Sequence, residues 1–147
     1  MEKLIIGAIE CGHLPDLSIE QMHIRVDTGA KTSSLHVDGI QRFKKKGKPH
    51  VRFNIHPNIH NVDSVASCSA PVKDIRRIKS SNGSVEERYI IDTTLQLGDQ
   101  QWTIELSLSN RSDMTYLMLL GRQGMGDRLL VDPSATFLVS EGSDDAE

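Results

Sequence analysis

Cysteine is scarce in this chain. Cys11 and Cys68 are the only two in 147 residues, too few for the disulfide framework that staples small secreted domains. Long apolar runs are missing too. Leu4-Ile5-Ile6-Gly7-Ala8-Ile9 is interrupted at once by Glu10, which makes it too short for a secretory h-region or a membrane span. Positive charge is not in excess. The formal net charge is -3, which argues against a nucleic-acid binder driven by phosphate contacts. Lys44-Lys45-Lys46-Gly47-Lys48 is a local basic run that reads as a solvated hairpin turn. These absences point to a cytoplasmic protein of one domain, without membrane or nucleic-acid partners.

Cofactor motifs are also lacking. No Walker A run occurs, and Gly121-Arg122-Gln123-Gly124-Met125-Gly126 has its glycines in the wrong order for a dinucleotide loop. There is no His-Glu-x-x-His. The six histidines are His13, His23, His36, His50, His56 and His60. Pro57 argues against a shared helical face for His56 and His60. Cys11 and His13 supply two donors where zinc takes about three or four. Ser33, Ser34 and His36 are too close along a strand to build a nucleophilic triad with its oxyanion hole. The expectation is no cofactor and no metal.

What is present is Asp27-Thr28-Gly29-Ala30, preceded by the strand-like run Ile24-Arg25-Val26. A carboxylate, a hydroxyl and a glycine on a tight turn after a strand suit an acid/base half-site. Asp27 supplies the acid or base, the Thr28 hydroxyl can hydrogen-bond beneath it, and Gly29 lets backbone approach the carboxylate.

The rest reads as short strands with frequent turns, the mark of an all-β barrel or sandwich. Candidate strands are Leu4 to Ile9, Met22 to Val26, Ile40 to Phe43, Val51 to Ile55, Ile75 to Lys79, Val85 to Ile91, Thr93 to Leu97, Trp102 to Leu108, Tyr116 to Leu120, Leu129 to Val131 and Thr136 to Val139. Asn82-Gly83 within Ser80-Ser81-Asn82-Gly83-Ser84 is a strong hairpin signal, because both residues tolerate positive φ. Gly121 to Gly126 suggests one short helix. Residues 1–139 form the expected domain, and residues 140–147 a small, acidic, frayed tail.

A second apolar strand ends in Leu119-Leu120-Gly121-Arg122. With Val26-Asp27-Thr28-Gly29-Ala30 and the hairpin between them, the chain resembles the retropepsin-like aspartic proteases. Within that group it is similar to the bacterial family labelled "ATP-dependent zinc protease". The resemblance covers roughly residues 3–139. It implies a closed all-β barrel with one short helix after the Gly-Arg strand. It also implies a late strand crossing behind the Asp27 loop, with Gly121 admitting the crossing and Arg122 opening the helix. The hairpin at Ser80, Ser81, Asn82, Gly83 and Ser84 takes the place of the substrate-covering flap.

Aspartic protease chemistry needs two carboxylates close enough to share a proton. This chain has one Asp-Thr-Gly; Asp92-Thr93-Thr94 lacks the glycine and Asp113-Met114-Thr115 lacks the order. The second carboxylate must come from another subunit, so the expectation is an aspartic endopeptidase acting on a peptide or protein substrate across a homodimer. The alternative is a non-catalytic module that grips an extended peptide by strand addition. The resemblance further implies association with an ATP-grasp ligase that attaches glutamate tails, which would make an acidic tail the substrate or ligand. Two departures stand out. Lys31 occupies the place where viral members carry a carboxylate able to pair with the Arg of Gly-Arg, so Arg122 needs another partner. The 94 positions from Asp27 to Gly121 exceed the compact viral spacing, and the surplus is expected between Val37 and Ala70.

Overall fold

The computed structural model describes residues 3–56, 65–79, 83–110 and 116–139. The expected all-β closed barrel is what the chain forms. Strands β2 (Ile9–Leu14), β3 (Ile19–Val26), β4 (Ser33–His36), β9 (Val85–Leu97), β10 (Gln100–Ser109) and β11 (Met118–Leu120) close a six-stranded ring in the order β10-β4-β11-β3-β2-β9, with β9 pairing back to β10. Closure removes free edges from these strands. Strand β8 (Asp74–Lys79) hangs outside the ring on β9. The one α-helix among the described residues, α1 (Arg122–Met125), follows β11 directly.

Alternating apolar positions fill the barrel. Ile24, Leu35, Ile91, Leu95, Leu106, Met118 and Leu120 are fully or almost fully buried, each worth about 1.5–3 kcal/mol of transfer free energy. A separate three-stranded sheet, β5 (Asp38–Lys45), β6 (Lys48–Ile55) and β7 (Ala66–Pro71), occupies the stretch where surplus length was expected. Val51, Phe53 and Ile55 on β6 join it to the common core. Its basic turn is a two-residue hairpin: Lys45 pairs with Lys48, and Lys46 and Gly47 both take positive φ, the geometry that matches strand twist.

Four expectations need correction. Leu4 to Ile9 is not one strand. It splits into β1 (Leu4–Ile6) and β2 at Gly7-Ala8, because residues Ala135 and Thr136 cross there so closely that a Cβ on Gly7 would lie 2.5 Å from the Ala135 carbonyl oxygen. Val85 to Ile91 and Thr93 to Leu97 are instead one continuous strand, since β10 pairs with it without interruption from Leu97 to Ile90. Tyr116 to Leu120 shortens to Met118–Leu120. Thr136 to Val139 is not a strand: Phe137 has φ of 54°, and the backbone donors of Leu138 and Val139 go to a buried carboxylate, Glu10. Glu10 also accepts from Gly7 at 2.7 Å, so one acidic side chain clasps both ends of the described chain. Leu129 to Val131 is strand β12, paired in parallel with β1. The tail, residues 140–147, lies outside the described residues.

Candidate active site

Asp27 follows the last residue of β3. Its backbone N–H donates to the Leu120 carbonyl at 2.9 Å, which carries the parallel β3–β11 ladder into the loop. The Asp27 carboxylate folds back over the turn and accepts from the Gly29 N–H at 3.0 Å. A Cβ on Gly29 would sit 3.3 Å from that same oxygen, so glycine leaves the carboxylate room.

The chain after β11 braces this loop from behind. Arg122 N–H donates to the Ala30 carbonyl and Gln123 N–H to the Lys31 carbonyl, both at 2.9 Å. Gly121 passes so close that a Cβ would lie 2.7 Å from the Thr32 carbonyl carbon and 2.8 Å from its oxygen. Its own N–H donates to the buried Ser33 hydroxyl at 3.0 Å. The Arg122 guanidinium donates to the Thr28 carbonyl at 2.9 Å. That answers the Lys31 departure: Arg122 uses a main-chain acceptor on the loop itself, so no carboxylate is required at position 31. Helix α1 is held in turn by Trp102, whose indole N–H donates to the Gly124 carbonyl at 2.7 Å.

The hairpin also stands where expected. Strands β8 and β9 pair antiparallel out to Lys79 and Val85. Gly83 has φ of +88°, with nothing within 4 Å of where its Cβ would be. Ser84 is described; Ser80, Ser81 and Asn82 lie outside the described residues.

Between loop and hairpin lies a pocket of about 370 Å³, lined by Asp27, Ala30, Lys31, Thr32, Ser34, Arg77, Arg88, Ser107 and Leu119. Sequence reading identified Asp27 and Ala30 but missed the rest. Lys31, Arg77 and Arg88 make the lining strongly cationic around one carboxylate. Ser34 and Ser107 are register partners on β4 and β10. At the hairpin base, Glu105 accepts both terminal nitrogens of Arg76, at 3.0 and 3.1 Å, and pairs with Lys73 at 3.0 Å. Hydrogen bonds from Arg76, then from Lys73, hold the Glu105 carboxyl below the ordinary glutamate range.

A second hollow, of about 460 Å³, is lined by His13, Pro15, Ser18, Ile19, Glu20 and Gln96 and shares no residue with the first. Among the described residues, no three His, Cys, Asp or Glu side chains converge as a metal-ligand set. His56 is bound to Asp38 at 2.7 Å, and His13 accepts from the Gln21 N–H. Among the described residues the donor set therefore does not fit zinc. Cys11 and Cys68 form no disulfide. No helix among the described residues is long and apolar enough to cross a membrane.

Comparison with known proteins agrees with this geometry. Four curated relatives match strongly, and three of them show the pattern. A "Probable alpha-L-glutamate ligase" of Shewanella halifaxensis (strain HAW-EB4) is 44% identical over 142 residues, covering 97% of this chain and 31% of the relative. Proteins of the same name from Shewanella pealeana and Desulfotalea psychrophila are each 45% identical, covering 97% and 96% of this chain and 31% and 30% of theirs. The chain thus spans about a third of the length of these relatives. The crystal structure of Lpg0085 from Legionella pneumophila, titled a protein with unknown function (DUF785), superposes with a TM-score of 0.79 at 30% identity, covering 95% of this chain and all of that one. The family model described as RimB-like, retropepsin-like aspartic endopeptidase RimB, matches residues 5–141, and the chain belongs to that family.

Proposed function

We propose that the protein is an aspartic-type endopeptidase whose active site is shared across a homodimer, with Asp27 contributed by each subunit. The observation that carries this is the seating of Asp27: a single carboxylate on a glycine turn, braced from behind by Gly121 and Arg122 and facing a pocket beneath a hairpin. Two such carboxylates at a two-fold axis supply the chemistry. One takes a proton from a water molecule as that water attacks the peptide carbonyl. The other donates a proton to the carbonyl oxygen, and the tetrahedral intermediate collapses with proton transfer to the leaving amine. Thr28 and Gly29 shape the loop, and the hairpin tip at Ser80 to Ser84 covers the substrate as a flap.

The substrate class follows from charge. Lys31, Arg77 and Arg88 favour an acidic chain, and the relatives named alpha-L-glutamate ligase make chains of glutamate the natural candidate, with an ATP-grasp ligase as working partner. Two cysteines outside any disulfide suit a reducing cytoplasm.

The test is hydrolysis of acidic peptides by purified protein and by Asp27→Asn. The amide is near-isosteric and keeps an oxygen for the Gly29 N–H, so folding should persist while turnover falls at least about a thousandfold. Specific activity should rise with protein concentration as the dimer forms, read alongside sedimentation. An Asp27→Asn protein as active as its parent, or activity abolished by a chelator, would defeat the aspartic mechanism. An inactive protein that still binds peptide would favour a binding module instead.

A further inference from the structure

Two arginines face each other across the hairpin, since Arg76 on β8 is the register partner of Arg88 on β9. Their guanidinium groups are treated very differently. Arg76 is saturated: Glu105 takes both terminal nitrogens and Asp74 takes Nε. Arg88 is only 7% exposed, yet among the described residues its one hydrogen bond runs from Nε to Glu86. The two terminal nitrogens have no partner there. Neither nitrogen is a fully buried unpaired atom, so the fork opens toward solvent rather than into the core. Here the residue lines the Asp27 pocket.

Glu86, two residues earlier on the same face of β9, is 56% exposed at its side chain. It therefore balances Arg88 from the solvent side, where an incoming carboxylate can take its place.

We propose that Arg88 is a carboxylate-binding subsite beside Asp27, and that Glu86 is a resident counter-ion which an incoming substrate carboxylate displaces. The open fork matches a carboxylate in two-point geometry. Substrate glutamate then replaces an internal glutamate, so charge balance around Arg88 holds in both states. The exchange makes Glu86 a competitor: it keeps the pocket from retaining any passing anion and raises the concentration at which acidic chains occupy it. Ser34 and Ser107 lie on the same wall and can hydrogen-bond the peptide backbone. The assignment takes its substrate from the peptidase reading, but binding can be tested without turnover.

The experiment uses full-length Asp27→Asn protein and fluorescently labelled penta-glutamate and penta-glutamine peptides, with affinity read by anisotropy. Penta-glutamate should bind more than about tenfold tighter, the worth of one charge-assisted hydrogen-bond pair. Arg88→Gln should erase that preference. Arg88→Lys should recover only part of it, because a point charge lacks the fork. Glu86→Gln, at an exposed position that does not threaten folding, should tighten penta-glutamate binding several-fold and leave penta-glutamine unchanged. Equal affinity for both peptides, or a Glu86→Gln protein that binds penta-glutamate no better, would overturn the proposal even if Arg88→Gln fails to fold. Selective binding without hydrolysis by the parent protein would sink the peptidase reading and leave the subsite standing. Hydrolysis without selectivity would do the reverse.

Discussion

The floor of the Asp27 pocket and the β8–β9 hairpin each depend on a glycine, for opposite reasons. At Gly121 space is denied: the nearest atoms to a Cβ would be main chain of Thr32 and Ala30, none of which can rotate aside. At Gly83 space is free and only the sign of φ demands glycine. The floor is fixed by backbone-to-backbone contact, whereas the hairpin is an outlying strand pair. The proposed hydrolytic function would use both, one part to hold the carboxylate still and another to let a chain in and then exclude water.

Substitution can break this contrast. Gly121→Ala should have the largest effect on the fold, because overpacking against main chain forces the strand and loop apart. A loss of about 3 kcal/mol, or about 10 °C in Tm, is expected, with activity lost alongside; thermal unfolding by circular dichroism measures it. Ser33→Ala leaves the buried Gly121 N–H without its acceptor. That should cost about 1–2 kcal/mol in urea unfolding and loosen the same floor. Gly83→Val should cost only about 1 kcal/mol of backbone strain, yet weaken peptide binding by far more. Equal losses in stability and binding would show that the hairpin serves the fold rather than the site.

The smallest effect should sharpen the comparison at the hairpin base. The Glu105 carboxyl is held below its ordinary range by Arg76 and Lys73. Its contribution is therefore present above the unfolded-state pKa and lost as pH falls through the folded-state value. Glu105→Gln should be less stable than the parent at neutral pH and equal to it in strong acid. A stability gap that persists unchanged at low pH would show that packing, and not the ion pair, anchors β8.

Much of the floor was legible in the sequence because its signals are local. A strand, a turn carboxylate and a glycine stand together at 24–30, and an apolar strand runs into Gly121-Arg122. The hairpin was legible through Asn82-Gly83 and the runs beside it. The pocket wall was not. Glu86-Glu87-Arg88 is a run of charges with no signal of burial, and Arg88 is buried where β9 pairs with β8. Strand β7 escaped notice because Ala66 to Pro71 is made of small residues without strand propensity; its conformation comes from pairing with β6. Phe137 misled in the opposite sense. An apolar run suggested a strand, while the Glu10 carboxylate took the donors a ladder would have used.

The brace behind Asp27 also sets a timetable. Its contacts join residues 88 and 94 positions apart in the chain, and the Glu10 clasp reaches across 128. Such distant pairings form late and slowly during folding. A ribosome must therefore release residues beyond 123 before the loop at 27 can be held, and residues near 138 before the first strands are locked. Nascent chains of intermediate length carry the acid residue but not its seat. The seat of Asp27 is thus assembled only after the late strand and its Gly-Arg turn are available.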